Sequence, residues 1–373
     1  MKPWFVAVIA ALFTVSIQAI SIQAQPFYQD NQLKVELVSQ FDGVIWGLSL
    51  ISDTEVILTL RKGQAFHLNL ITGKKTALSG LPNIATLGQG GLLDVAVSPD
   101  FNKSNWLYFT YSKPSALGAA TTLARAKLDG AQLIDWEDIF ITQPASSTGK
   151  HFGSRIAFDG QGYVYFGIGD RGERPNAQNL KNHAGSILRL HLDGRIPSDN
   201  PFIGKAEAQD AIWSYGHRNP QGLFFDTNTQ TLWSNEHGPR GGDEINKIKP
   251  GANYGWPIVS HGKEYWGPIS VGDGTEKAGM ENPLKVFIPS IAPSSLHLYQ
   301  GQEFKNWQGS FISTALAKRH LNQVIFDDQG NAKENRYLGE LNERFRSIAE
   351  DAKGYLYLGT DSGKLLKLSN TKR

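Results

Sequence analysis

The chain contains no cysteine, which excludes disulfides and thiolate-held metals or clusters from its architecture. It also lacks an excess of either charge. Lysine and arginine number 37 against 35 acids, a net charge of +2, and no basic block occurs, so nucleic acid is a poor candidate partner. Long helical patterns are few. No apolar run reaches the roughly 20 residues that a membrane-spanning helix needs. What the sequence has instead is 39 glycines and 17 prolines among 373 residues that are 40% hydrophobic and 11% aromatic. That is globular material with many turns, which points to an all-β architecture.

Lys2 precedes an apolar run over residues 4–15, followed by alanines at 19 and 24 and then by Gln25-Pro26. This pattern predicts an export signal over residues 1–24 and one domain over 25–373, without a membrane span after cleavage and with a periplasmic or secreted location. The alternative is an uncleaved anchor. Ile17 and Ile22 stand where a small residue normally precedes the cleavage point, so the cleavage position is left open.

Beyond residue 25, alternating apolar runs recur at 55–60, 106–111, 163–168, 231–234, 310–313 and 355–360. Most follow a polar turn, as in Ser98-Pro99-Asp100, Asp159-Gly160-Gln161-Gly162 and Asp351-Ala352-Lys353-Gly354, and several precede a second strand-like run, at 66–70, 187–192, 324–326 and 364–368. Six repeats of this kind predict a six-bladed β-propeller of four-stranded antiparallel blades, in which each blade buries its faces against its neighbours. A pair of β-sandwiches is the rival. Residues 33–38 are expected to complete the last blade and latch the ring. The largest surplus of loop lies between 233 and 310, which places long loops on one face of a rigid scaffold, where function concentrates.

The densest chemistry, between Trp213 and Trp256, runs into that surplus. Its acids and the carbonyls of its glycine- and proline-rich turns are hard oxygen ligands of the kind Ca²⁺ takes. Elsewhere, Gln89 sits among glycines just before a strand, positioned either for a cleft or for solvent. His151 enters a strand from a loop and is a general-base candidate, with a structural histidine as the alternative. Arg218 and Asn219 pair a guanidinium with an amide, a combination suited to a developing oxyanion, although a capping salt bridge explains them too. Arg344 and Arg346 alternate along an extended segment, and Lys318 lies beside another strand. Two arginines sharing a face repel unless an anion lies between them, which points either to a polyanionic small molecule or to solvated edge charges.

Taken in order, Gly-Gln-Gly-Gly-Leu-Leu (88–93), His-Phe-Gly-Ser-Arg (151–155), Gly-His-Arg-Asn-Pro-Gln-Gly (216–222), Glu-His-Gly-Pro-Arg-Gly-Gly-Asp-Glu-Ile-Asn (236–246), Asn-Tyr-Gly-Trp-Pro (253–257), Ile-Ala-Pro-Ser-Ser (291–295) and Arg-Phe-Arg-Ser-Ile (344–348) carry a resemblance. The chain resembles the soluble quinoprotein glucose/sorbosone dehydrogenases, and among them looks most like the bacterial periplasmic aldose sugar dehydrogenases. The resemblance implies pyrroloquinoline quinone (PQQ) and Ca²⁺ as cofactors, one calcium bridging the quinone and one structural, and oxidation of aldoses at C1 to lactones by proton abstraction and hydride transfer to the quinone. It casts His151 as the base, and Arg218 with Asn219 as contacts of the quinone. Gly238 and Pro239 become carbonyl ligands of the quinone-bound Ca²⁺, and Glu244 and Tyr254 ligands of the structural one. Leu316, Ala317, Lys318, Arg344 and Arg346 surround the cofactor's carboxylates, Gln89 lies beside substrate and cofactor, and Tyr265 lines the sugar site.

Two positions depart from the well-known glucose-specific relatives: Lys150 replaces an acid, and Ile288 replaces a tryptophan over the cofactor. Both alter the pocket wall. A broad aldose range, a periplasmic electron acceptor of unknown identity and a monomer or weak dimer are therefore the expectations. A calcium-dependent lactonase and a non-catalytic binding propeller are the competing readings; the first leaves the Lys318, Arg344 and Arg346 cations unexplained, and the second leaves His151, Arg218 and the Gly238-Pro239 turn without a shared purpose.

Overall fold

The computed structural model describes residues 26–29 and 32–371, and among them the strands form six antiparallel sheets. The export signal expected over residues 1–24 lies outside the described residues. No helix among the described residues is long and apolar enough to cross a membrane.

Blade 1 is built from Ile45–Ser52, Glu55–Leu60, Gln64–Asn69 and Lys75–Ala77, and blade 2 from Leu92–Val97, Trp106–Ser115, Gly118–Asp129 and Gln132–Ile141. Blade 3 comprises Ile156–Phe158, Tyr163–Ile168, Ser186–His191 and Ile212–Tyr215. Blade 4 comprises Pro220–Asp226, Thr231–Glu236, Asp243–Ile248 and Lys285–Phe287. Blade 5 follows with Pro293–Leu298, Phe311–Ala315, Leu321–Phe326 and Ala332–Tyr337. Blade 6 takes Phe345–Glu350, Leu356–Thr360 and Lys364–Asn370 from the end of the chain and Leu33–Gln40 from its beginning. Pro26–Gln29 adds a fifth, outermost strand to that sheet.

The first strand of each blade packs on the first strand of the next, and that of blade 6 returns to blade 1. The molecule is the six-bladed propeller that the repeats predict. Each apolar run read from the sequence is the second strand of its own blade, and the reason is burial on both sides: in Glu55–Leu60 five consecutive residues are buried between neighbouring sheets. Near the axis the first strands approach so closely that a side chain is excluded in places. A Cβ on Gly47 would lie 2.6 Å from the Val95 nitrogen, and one on Gly222 would lie 2.6 Å from that of Leu296.

Ring closure is done by the chain's own beginning. Val35 pairs with Leu368 and Leu37 with Leu366 in an antiparallel ladder, while Phe41 N–H donates to the Gly363 carbonyl at 2.8 Å. Leu33, Val35, Leu366 and Leu368 then pack with Phe345 and Leu356 in one buried cluster between blades 5 and 6. First strands all run away from one face of the ring, so the loops entering them and those joining second to third strands share that face. The long connection over 249–284 climbs back to it along blade 3, with Gly251 N–H on the Trp213 carbonyl (2.7 Å), Tyr254 N–H on Tyr215 (2.8 Å) and Trp256 N–H on Gly216 (2.9 Å).

Because Leu366 is fully buried where the latch closes the ring, Leu366→Ala is expected to cost about 2–5 kcal/mol. Urea unfolding measures this, and an unchanged midpoint would show that the latch does not limit stability.

Candidate active site

Four loops of the shared face converge on one carboxylate. Asp170, at the end of the second strand of blade 3, is almost fully buried. Its Oδ1 meets His151 Nδ1 at 2.6 Å and accepts Gly172 N–H at 2.7 Å, and its Oδ2 accepts Trp256 Nε1–H at 2.8 Å. Burial alone would raise its pKa, but the hydrogen bond and charge of His151, with the two N–H donors, hold it below the ordinary carboxylate value. An ionised carboxylate only accepts, so the imidazole proton sits on Nδ1 and Nε2 keeps its lone pair. Burial lowers the basicity of His151 first, the Asp170 contact opposes, and the nearby Arg218 charge lowers it further; the net direction is down from 6.5.

The backbone of His151 is held as firmly as its ring. Its φ is 52°, in the left-handed region, and its N–H donates to Gln89 Oε1 at 2.9 Å. Arg171, next to Asp170 and 1% exposed, donates to the Lys150 carbonyl on one side of His151 and lies 3.6 Å from the ring centre of Phe152 on the other. Burial brings its pKa down to about 10, so it stays charged at neutral pH.

Arg218 is fixed from behind. Its N–H donates to Glu236 Oε2 at 2.7 Å, its Nη1 to the His237 carbonyl at 3.2 Å, and its Nη2 to the Tyr265 hydroxyl at 3.4 Å. Among the described residues no carboxylate pairs with its guanidinium, so the capping salt bridge is not its role. Glu236 Oε1 also meets His217 Nδ1 at 2.9 Å, and the His217 ring stacks on Tyr254. Asn219 is turned inward as a brace, its Oδ1 accepting Gly153 N–H (3.3 Å) and Gln221 Nε2–H (3.1 Å).

Beside these residues lies a cavity of about 170 Å³ with flat apolar walls from Trp46, Phe152, Leu93 and Leu316, and polar atoms from Gln89, Asn219, Arg344 and Arg346. The two arginines share an anion, and the protein itself supplies it. Asp361 accepts Arg344 Nε–H at 2.7 Å and Arg346 Nε–H at 2.8 Å. The alternation therefore needs no small molecule to explain it, although two guanidiniums on one carboxylate leave a surplus positive charge at the cavity. Ala317 and Lys318 are exposed and do not line it. Their backbone is pinned instead, with Ala317 N–H on the Ile291 carbonyl at 2.9 Å.

The proposed cation ligands lie at one edge. The Gly238–Pro239 turn is organised by Asp243, which accepts Gly238 N–H (2.9 Å), Ala292 N–H (2.7 Å) and the Ser290 hydroxyl (3.0 Å). Burial pushes the Asp243 carboxyl up to about 6. Glu244 shares a recess with Glu236, both reached by the Asn246 amide at 3.2 and 3.3 Å, while Asn246 Oδ1 is buried with no partner. Burial and the facing Glu236 raise Glu244 to about 8. The Tyr254 hydroxyl is committed to the Lys247 carbonyl (2.5 Å) and Lys249 N–H (2.9 Å), which leaves its backbone carbonyl as the group able to meet a cation. Among the described residues no cluster of three or more His, Cys, Asp or Glu side chains is placed to hold a metal, so a hard cation here needs amide or backbone oxygens beside any carboxylate.

Tyr265 projects from a hairpin over the mouth and is 65% exposed. The hairpin is tied down by Glu264, which takes both Nη atoms of Arg174 at 2.7 and 2.8 Å. Asp170, Arg171 and Asp361 are site residues that the sequence does not single out, whereas Glu236, Asp243 and Trp256 stand within its motifs without an individual role. Asp170, Arg171 and Asp361 lie in polar, glycine-bearing stretches that read as ordinary turns, and Asp170 and Asp361 carry only one faint mark: each stands just past a second strand and two residues before a glycine.

The family model described as Glucose / Sorbosone dehydrogenase matches residues 43–367. An aldose sugar dehydrogenase of Escherichia coli, YliI, is 39% identical over 331 residues, covering 87% of this chain and 89% of the relative. The apo crystal structure of the soluble aldose sugar dehydrogenase from Escherichia coli superimposes with a TM-score of 0.87 at 37% identity, covering 90% of this chain and 99% of that one. The PQQ-bound form of the Streptomyces coelicolor aldose sugar dehydrogenase gives 0.75 at 28% identity, over 93% and 100% of the two chains.

From the geometry, His151 is expected to titrate below 6.5, and Asp170→Asn to move it lower still because the partner that favours its protonated form is lost. Imidazole NMR resonances followed against pH check both. A titration above 6.5, or a rise in the variant, would contradict the arrangement.

Proposed function

The chain belongs to the glucose/sorbosone dehydrogenase family of oxidoreductases, and on that premise we propose that it oxidises aldose sugars at C1 to their lactones using PQQ and Ca²⁺. The observation that carries the reading is the His151–Asp170 pair, with Nε2 unprotonated, beside Arg218 and next to a flat-walled cavity bearing two arginines. The cavity fits a planar conjugated polyanion: apolar faces on its walls and excess positive charge at Arg344 and Arg346. The recess of Glu236, Glu244 and the unpartnered Asn246 Oδ1 fits a structural Ca²⁺, and the Asp243-braced turn offers the Gly238 and Pro239 carbonyls for the other.

When bound, the quinone supplies the hydride acceptor, and its calcium polarises the accepting carbonyl. The chain's own residues do the rest. His151 Nε2 takes the proton of the anomeric hydroxyl, and the imidazolium so formed is stabilised through Nδ1–H by the Asp170 carboxylate, the division of labour seen in histidine–carboxylate pairs generally. Arg218, held by Glu236 and the His237 carbonyl, presents fixed positive charge to an oxygen that becomes negative, at no cost of reorganisation. His237, which burial and the Arg218 charge lower to about 3, stays neutral and adds no competing cation. Gln89 shapes the site through the His151 backbone, and Tyr265 provides an aromatic wall for the sugar. Lys318, exposed beyond the cavity edge, acts on the cofactor's carboxylates at longer range than the arginines. The proposed setting is periplasmic or secreted, with residues 1–24 as the export signal.

Metal-stripped protein assayed with a neutral dye acceptor is expected to oxidise aldoses only when PQQ and Ca²⁺ are added together. His151→Ala and Asp170→Asn should each lower kcat about 10²–10⁴-fold. Because the base must be neutral, kcat/KM should hold as pH falls through 6.5 and decline only below it, where His151 protonates. Full activity in the His151 variant, or none in the parent with both cofactors and a panel of sugars, would remove the dehydrogenase reading, and lactone hydrolysis would then be the activity to assay.

A further inference from the structure

The near-neutral composition conceals a group of unpaired cations on the site face of the ring. On the far face, the turns between first and second strands carry Asp53, Asp100, Asp159, Asp226 and Asp351, and among the described residues none of them has an ionic partner within 4.0 Å, but Asp159, Asp226 and Asp351 are buried and the exposed Lys103 and Lys353 share those turns. On the site face the exposed Lys150, Arg240, Lys263 and Arg319 likewise lack a carboxylate partner. Most acids of that face are consumed, Asp361 by Arg344 and Arg346, Glu264 by Arg174, Glu343 by Lys364, and Asp170 by His151, while Glu173 stands exposed.

Large apolar side chains stand exposed within this cationic border. Trp266 is 75% exposed, Ile288 69% and Ile269 53%. The Tyr265 hydroxyl on Arg218 fixes the hairpin carrying Trp266 and Ile269 at the mouth, and Ile288 lies against Gly241 on the neighbouring turn. An aldose is neutral and has no use for a ring of cations, and Arg344 and Arg346 already line the cavity itself. Lys150, Arg240, Lys263 and Arg319 surround the opening without serving either. An apolar centre bordered mainly by unpaired positive charge is the composition of a transient, electrostatically steered protein interface.

We propose that this face docks an acidic protein, a small one-electron carrier that withdraws the electrons left in the enzyme by sugar oxidation. The inference rests on the dehydrogenase reading. Oxidation of one aldose to its lactone releases two electrons and two protons; the protons leave to solvent, and a one-electron carrier must be reduced and replaced twice per turnover. Fast association and a weak complex serve such repeated visits, and long-range attraction raises the association rate without lengthening the stay.

The test uses the protein without PQQ and two probes, an acidic c-type cytochrome and a basic one, with association followed by surface plasmon resonance. The acidic probe alone is expected to bind, its association rate falling at least about tenfold between 10 and 150 mM salt as screening shortens the field. Lys263→Glu combined with Arg319→Glu should slow it by about tenfold again at low salt, while Lys103→Glu combined with Lys353→Glu on the far face should not. Equal binding of both cytochromes, binding of neither, or indifference to the site-face pair overturns the proposal. Docking is read without cofactor and oxidation with a neutral dye, so a missing interface and an inactive dehydrogenase are distinguished.

Discussion

The burial of the Asp170 carboxylate is the constraint on which the site depends. A carboxylate out of water is costly by several kcal/mol unless its lone pairs are matched. Here they are matched by His151 Nδ1, Gly172 N–H and Trp256 Nε1–H, and the Asp170 N–H donates in turn to the Arg218 carbonyl at 2.9 Å. Those partners come from the loop between blades 2 and 3, a loop within blade 3, the segment that climbs from blade 4, and the loop between blades 3 and 4. One buried charge thus sets the relative position of four loops that the ring alone would leave to find their own places. The His151 ring cannot rotate away without stranding that charge, which is why a histidine on a loop serves as a fixed base.

The same device recurs at the cavity. Arg344 and Arg346 would repel each other and drift toward solvent if left unpaired, and a ligand would then have to order them as it bound. Asp361 orders them beforehand, at the cost of cancelling one of their charges. Nearby, Asp94 and Arg155 form a buried pair at 2.6 Å, with the Arg155 guanidinium 4.5 Å from the ring centre of Trp46, a cavity wall. Binding energy that would otherwise order side chains remains available for the ligand.

The sequence makes the propeller legible because burial between blades gives the second strand of each blade an alternating apolar run. The outermost strands leave no such mark; Lys75–Ala77 and Lys285–Phe287 are three residues each and partly exposed, so nothing in their pattern separates them from loop. At the site, residues that face the cavity or the mouth sit in glycine-marked motifs and are legible as a set. Their supports are not. Asp170 and Asp361 act across 19 and at least 15 positions, and no local spacing announces a partner so distant. Lys318 shows the opposite failure: it lies in the right loop, yet that loop's backbone is pinned to Ile291, and the side chain faces solvent rather than the cavity.

Backbone strain follows the same division between ring and loops. Non-glycine residues in the left-handed region include His151, Ser154, Arg171, Ala292 and Arg319, all on the site face. Such conformations cost on the order of 1 kcal/mol or more each, and persist only where the surroundings over-determine them. His151 is over-determined by Gln89, by Asp170 and, through Lys150, by Arg171. These restraints in turn need fixed distances between blades 2, 3 and 4, which only a closed ring supplies. The latch strand on the far side of the propeller therefore bears on the base at its mouth: an open ring would let the blades separate, and the strained histidine would relax first because several of its restraints span blade boundaries.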